Sequence, residues 1–240
     1  EMRSGLLNDP YGPFFVSDMN AYALGLGVAT DIDSAFDYNN MNTQLIAEVI
    51  ERVSGMSAGD YLTEKIFDPI GFEPIAMWTD PVGSSLAFAG VDASTRNMAR
   101  FGLLMTRGGM WDGASVVPED YVADAISPGT DTFYGYQWWI MNQDGLDTST
   151  FISFGGGKAP PTAPDKAFTC AWGYEGQYTC LWPEEDIVLN INTKYNYDET
   201  AFNPVFGLYN LRDTDDTGVE LVTGLATHLQ VALGMVPAGS

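Results

Sequence analysis

A chain of 240 residues with 45% hydrophobic content can bury a sizeable core as one large domain or two lobes. Its 32 acidic residues against 10 basic ones leave a formal charge of −22. Such a surface repels phosphate backbones and anionic membranes, argues against nucleic acid as a partner, and suits a soluble protein, including one in a saline milieu. No apolar run approaches the ~20 residues of a membrane span. The opening Glu1-Met2-Arg3-Ser4-Gly5 has neither the basic nor the apolar region of a signal peptide, and a start on Glu with Met second suggests processing or a segment of a longer protein.

Residues 1–35 read as an irregular approach, with turns at Asn8-Asp9-Pro10 and Tyr11-Gly12-Pro13 and a short helix from Ser17 to Leu26 capped by Ser17 or Asp18. From Asn42 the recurrence of Leu45, Ile46, Val49, Ile50 and Val53 at helical spacing predicts a helix, ending at Ser54-Gly55. A second helix follows from Ser57, with Tyr61, Leu62, Ile66 and Phe67 apolar, and stops at Asp68-Pro69. Residues 74–91 read as loop or short strands. Ser94-Thr95 caps a helix lined by Met98, Phe101, Leu104 and Met105. Pro118 opens another, with Tyr121, Val122 and Ile126 on its buried face.

After residue 130 the pattern changes. Phe133 to Ile140 reads as a strand, Phe168 to Trp172 and Gln177 to Leu181 as a hairpin, and Ile187 to Asn192 as another strand. Gly155-Gly156-Gly157 and Pro160 to Pro164 read as a mobile loop between them. A last helix is expected from Asp216 to Leu233, with Val219, Leu221, Val222, Leu225, Leu229 and Leu233 apolar. Helices first and antiparallel strands second predict an α+β fold: a mainly helical lobe over residues 1–130 and a sheet with a closing helix over 131–240.

Cys170 and Cys180 flank Gly173-Tyr174-Glu175-Gly176 symmetrically. Across a hairpin they would face each other at disulfide distance, which points to an oxidising compartment. Two buried free thiols fit the same spacing. Gly55-Met56-Ser57-Ala58-Gly59 matches the nucleophile-elbow pattern, but a helix precedes it and His228 is the sole histidine, so Ser57 reads as a helix cap. One histidine and no clustered cysteines argue against a zinc site. Asp213 to Gly218 resembles the start of a calcium loop, but Gly224 stands where the bidentate Glu belongs, and capping explains the acids.

Tyr38-Asn39-Asn40 places a phenol beside amide groups at a helix start, a place suited to proton transfer. The stretch is followed by Val53-Ser54-Gly55, Tyr61-Leu62 and Ile66-Phe67-Asp68-Pro69-Ile70-Gly71. With these, the chain resembles the serine β-lactamase and penicillin-binding-protein-like hydrolases, in the class C, esterase and 6-aminohexanoate-dimer hydrolase branch. Met2 to Leu6 looks like the short loop before the family's Tyr-x-Asn element, and Ala99-Arg100-Phe101-Gly102-Leu103-Leu104 like its helix. Tyr134-Gly135-Tyr136 with Trp138-Trp139 looks like a family strand. Ala171-Trp172-Gly173-Tyr174-Glu175-Gly176-Gln177, with Pro183-Glu184 and Asp186-Ile187-Val188, looks like the active-site strand and its hairpin.

The resemblance implies a β-lactamase/transpeptidase-like fold, a helical lobe packed on an antiparallel sheet with flanking helices, whose N-terminal part is missing. It implies acyl transfer to water through a serine ester, with an ester or small amide as substrate and no cofactor. Tyr38 would be the general base or proton relay, and Asn40 would contact the substrate. Trp172, Gly173 and Gln177 would line the acyl pocket. The family's serine and lysine lie in a Ser-x-x-Lys turn. Three residues before Lys65, Lys158, Lys166 and Lys194 stand Leu62, Gly155, Ala163 and Ile191, so these residues contain no such turn. The Lys-Thr-Gly type strand also departs, with Trp172-Gly173 in its place. Two expectations follow. The Ser-x-x-Lys comes from a preceding segment or a companion chain, or the chain is a non-catalytic relative used for binding or assembly. A periplasmic or extracellular location fits either.

Overall fold

The structure, a computed structural model, describes residues 16–27, 38–129, 134–141, 167–173, 177–192, 202–203, 208–209 and 225–236. Contacts group the chain into two units, Glu1–Asn97 and Met98–Ser240. The expected loops at 155–157 and 160–164, the calcium-like stretch at 213–218 and the opening residues lie outside the described residues.

In the first unit, helix α1 (Met19–Gly25) begins where the Asp18 carboxylate accepts from the Ala21 amide at 2.8 Å. Helix α2 (Asn40–Ser54) begins two residues earlier than the apolar spacing predicts, because the Asn39 side chain caps it by accepting from the Met41 amide at 2.8 Å. It ends on Gly55, whose φ of 72° and N–H to the Glu51 carbonyl close the last turn.

The face that α2 buries is not the one its apolar spacing marks. Asn40, Met41, Gln44 and Ala47 are inside, whereas Ile46, Val49 and Val53 are 50, 59 and 83% exposed. The reason is the partner. Helix α1 offers Asn20 to this face, so side-chain hydrogen bonds act beside the apolar contacts in setting which way α2 turns. Met41 still joins Met19, Ala23 and Leu86 in a small apolar core.

Ser57 caps helix α3 (Ala58–Leu62) by accepting from the Asp60 amide at 3.1 Å, and the helix continues as a π-helical turn over Thr63–Phe67. Strands β1 (Ala76–Met77) and β2 (Val91–Asp92) pair antiparallel. Between them the buried Asp80 accepts from the amides of Met19, Val82 and Ser84, joining the start of α1 to a tight turn. Helix α4 (Thr95–Thr106) starts where Ser94 accepts from the Asn97 amide, and Asn97 in turn bonds both backbone groups of Glu73.

In the second unit, β3 (Met110–Trp111) and β4 (Ala114–Ser115) form a small hairpin ahead of α5 (Glu119–Ala125). Val122 and Ala125 face inward. Tyr121, expected on the buried face, is 52% exposed and lies 5.8 Å from the Tyr136 ring.

Residues 134–138 make a turn rather than the predicted strand. Gly135 donates to the Trp138 carbonyl, Gln137 adopts φ 65°, and a Cβ on Gly135 would lie 2.2 Å from the Ala125 carbonyl oxygen. Close approach to α5 overrides the strand preference of the aromatics. The strand β5 is Trp139–Met141.

It opens a four-stranded antiparallel sheet in the order β5-β6-β7-β8, with β6 at Phe168–Gly173, β7 at Gln177–Trp182 and β8 at Ile187–Ile191. The hairpin and third strand thus stand where the alternation predicts them. Met105, Val122, Ala125, Trp138 and Leu181 form the core of this unit. Gly102 lets α4 touch the sheet: a Cβ there would meet Val188 Cγ1 at 2.7 Å and Thr179 Cγ2 at 2.8 Å. Residues 202–203 and 208–209 form a further pair of short strands, β9 and β10. Of the helix expected from Asp216 to Leu233, residues 225–232 are helical (α6), with Ala226 and Gln230 buried, Leu229 half-buried and Leu225 and Leu233 exposed, and residues 216–224 lie outside the described residues.

Candidate functional site

The sequence-predicted site residues fall into both units, Tyr38 and Asn40 in the first and Trp172, Gly173 and Gln177 in the second. Each group has its own support.

Tyr38 stands immediately before the Asn39 cap, and Asn40, 5% exposed, is the first residue of α2. Burial pushes the Tyr38 phenol above its ordinary value, because a phenolate loses its hydration there. At neutral pH the side chain is therefore a neutral hydrogen-bonding phenol. It needs a nearby cation before it can hold a negative charge.

One turn further along the same face, Gln44 is fully buried. It donates to the Asn20 side-chain oxygen at 2.7 Å and to the Ser85 carbonyl at 2.9 Å, and it accepts from the Ala87 amide at 3.0 Å. Asn20 donates onward to Glu48 at 2.7 Å and Glu51 at 3.1 Å. Asn39, Gln44 and Asn20 escape an apolar-periodicity reading. Their signal in the sequence is a second, polar stripe at helical spacing: Asn40, Gln44, Glu48 and Glu51.

In the second unit Gly173 lies directly opposite Gln177 across the hairpin, and a Cβ on Gly173 would sit 3.0 Å from Gln177 Cβ. The two therefore belong to one face of the sheet. Trp172 pairs with Tyr178 and alternates to the other face. There its ring stacks on Tyr178 at 6.0 Å and meets Trp139 edge-on at 5.3 Å, and Trp139 in turn meets Tyr134 edge-on at 4.9 Å. Gly173 and Gln177 are thus brought together, and the Trp172 ring is set apart from them.

Strand β5 pairs with Phe168, Thr169 and Cys170, so Ala171 to Gly173 continue past the last registered pair on that edge of β6. Cys170 and Cys180 are opposed in register and joined by a disulfide in the sheet interior. Among the described residues, no group of three or more His, Cys, Asp or Glu side chains is arranged to hold a metal ion.

The chain is 29% identical over 124 residues to the 6-aminohexanoate-dimer hydrolase of Paenarthrobacter ureafaciens, a match covering 45% of this chain and 32% of that protein. A solved structure from Bacillus anthracis, assigned as a 6-aminohexanoate-dimer hydrolase, superposes with a TM-score of 0.64 at 19% identity, covering 91% of this chain and 50% of that one. A beta-lactamase structure from Mycobacterium bovis superposes with a TM-score of 0.53 at 18% identity, covering 91% of this chain and 73% of that one. The chain thus spans a third of the length of the curated relative and half that of the Bacillus anthracis protein. The structural likenesses show the α+β beta-lactamase-like fold. Since the beta-lactamase family model matches residues 1–208, the chain belongs to the beta-lactamase family.

Proposed function

We propose that this chain forms part of the active site of a serine hydrolase that cleaves an ester or small amide through an acyl-enzyme. The Ser-x-x-Lys turn would be supplied by a polypeptide segment outside these residues. The observation that carries the reading is Tyr38-Asn39-Asn40 at the capped start of α2, in a chain of this family. The serine hydroxyl attacks the substrate carbonyl, and Tyr38 relays its proton to the leaving group. The lysine beside the phenol offsets the effect of burial on its acidity. Asn40 orients the carbonyl side of the substrate.

The backbone of β6 at Ala171 to Gly173 donates to the developing oxyanion, and Gly173 and Gln177 line the acyl pocket. Trp172, on the opposite face of the strand, packs against Tyr178 and Trp139 and does not line that pocket. Water then attacks the ester, with the proton returning through Tyr38. The name shared by the Paenarthrobacter and Bacillus relatives supports a short linear amide as one substrate class. The Cys170–Cys180 disulfide supports an oxidising location, periplasmic or extracellular.

The test is intact-mass analysis after incubation with a fluorophosphonate. The complete enzyme gains one adduct, on the polypeptide that carries the Ser-x-x-Lys, and hydrolyses esters until it does so. A second reading, a non-catalytic binding or assembly subunit, is favoured by the absence of Ser-x-x-Lys from these 240 residues. It is supported if a full-length, folded preparation takes up no label.

A further inference from the structure

Helix α2 follows Tyr38 and begins at Asn40, and apolar packing of Met41 and Leu45 is only part of what orients it. Ile46, Val49 and Val53 point outward, and the inward face is held by directional bonds. Gln44 uses both donor positions shown and its acceptor on three different partners: helix α1, the Ser85 carbonyl and the Ala87 amide. Asn20 uses its oxygen for Gln44 and its nitrogen for two acids one and two turns further along α2. A hydrophobic face tolerates small rotations and slides, because burial is non-directional. A buried amide bonded at both ends does not, since any slip leaves a buried donor or acceptor unpaired.

The next turn toward the N-terminus places Asn40 and Met41 on the same buried face, and the Asn39 cap then fixes where the chain enters. We propose that Gln44 and Asn20 are positioning residues: their hydrogen bonds set the rotation and axial register of α2 and so hold the Tyr38-Asn39-Asn40 element in place. In its catalytic consequence, the inference rests on the role given to Tyr38 above. Its structural part stands without that role.

The experiment uses tyrosine labelled at Cζ with carbon-13, the Tyr38 signal being assigned by its loss in Tyr38→Phe. Gln44→Met keeps volume and flexibility while removing the amide. In the folded Gln44→Met protein the Tyr38 signal moves, and its titration shifts down toward the ordinary tyrosine value as burial is lost. The signal of Tyr61, on α3, stays where it was. Val53→Ala, a change on the outward face, moves neither.

Asn20→Ser, which leaves the Ser85 and Ala87 bonds of Gln44 intact, gives a smaller shift in the same direction and serves if Gln44→Met does not fold. An unchanged Tyr38 signal and titration in either folded variant overturns the proposal. In the complete enzyme, Gln44→Met lowers kcat roughly 10- to 100-fold, the scale of a misplaced catalytic group, with KM held within about twofold. If the Tyr38 signal moves and kcat does not, positioning stands and the catalytic role of Tyr38 falls. A loss carried only by KM overturns the inference that the network acts through Tyr38.

Discussion

At the scale of single residues, Tyr38 carries most of the chemistry in the proposed mechanism. In the complete enzyme Tyr38→Phe should lower kcat by roughly 10²–10⁴-fold, the usual contribution of a positioned proton carrier, while circular dichroism stays that of the parent. The same residue has a thermodynamic signature. Burial raises the phenol pKa in the folded state. As pH climbs past the ordinary value near 10, the unfolded chain releases this proton while the folded chain keeps it. Folding stability from this group is therefore whole below about pH 10 and is lost as pH rises toward the folded value. Thermal melts at about pH 8 and about pH 11 should show a larger fall in Tm for the parent than for Tyr38→Phe. Equal falls would mean that Tyr38 is not buried as a phenol. The residue itself is legible from sequence, since a phenol before amides at a helix start is a recognisable local pattern. Its raised pKa is not, because burial depends on what the rest of the chain packs around it.

At the scale of elements, α2 makes the sharpest case. Its existence follows from a 3.6-residue apolar period and its end from Gly55, but the period points to the wrong face. Ile46, Val49 and Val53 share a stripe, yet the stripe alone does not say what lies opposite. The decisive partner, Asn20, is 24 residues before Gln44 in the chain. Two substitutions separate the faces. Val53→Lys, at 83% exposure, should change stability by no more than about 0.5 kcal/mol. Gln44→Leu, which strands the Asn20 oxygen, the Ser85 carbonyl and the Ala87 amide, should cost roughly 2–4 kcal/mol. Urea denaturation checks both, and the reverse ranking would restore the apolar face as the buried one. The turn at 134–138 teaches the same lesson. Tyr and Trp favour strands locally, and the approach of Gly135 to the carbonyls of Ala125 and Ser127 forbids one. By contrast β6 and β7 were legible because their alternation and the symmetric cysteines are local. What alternation also contains, and the motif resemblance obscures, is that Trp172 must face away from Gly173 and Gln177.

At the scale of the whole molecule, two features act on the balance between folded and unfolded chain rather than on any site. The disulfide closes a loop of ten residues within the sheet, which in the chain-entropy description stabilises by about 3 kcal/mol. Cys170→Ala with Cys180→Ala should lower the urea midpoint accordingly, and reductant should lower that of the parent but not of the double variant. The charge works in the opposite direction. A formal −22 confined to a folded surface repels itself more than the same charge spread along an expanded chain. Three ion pairs, Arg52–Glu48, Lys65–Glu64 and Arg107–Asp186, each involve a solvent-exposed basic side chain, and pairs of that kind contribute little. In the last of them the Arg107 guanidinium holds the Asp186 carboxyl below its ordinary value, a local attraction that salt would weaken. Repulsion among the acids, 32 against 10 basic residues, should outweigh these attractions. Raising NaCl from about 0.02 M to about 0.5 M shrinks the Debye length from roughly 20 Å to roughly 4 Å and screens charges across the surface. Tm should therefore rise over that range, most steeply at its low end. The same titration on a variant with several exposed acids changed to glutamine or asparagine should be flatter and start from a higher Tm. A Tm that fell with salt would mean that attractive pairs, and not self-repulsion, govern the electrostatics of this chain.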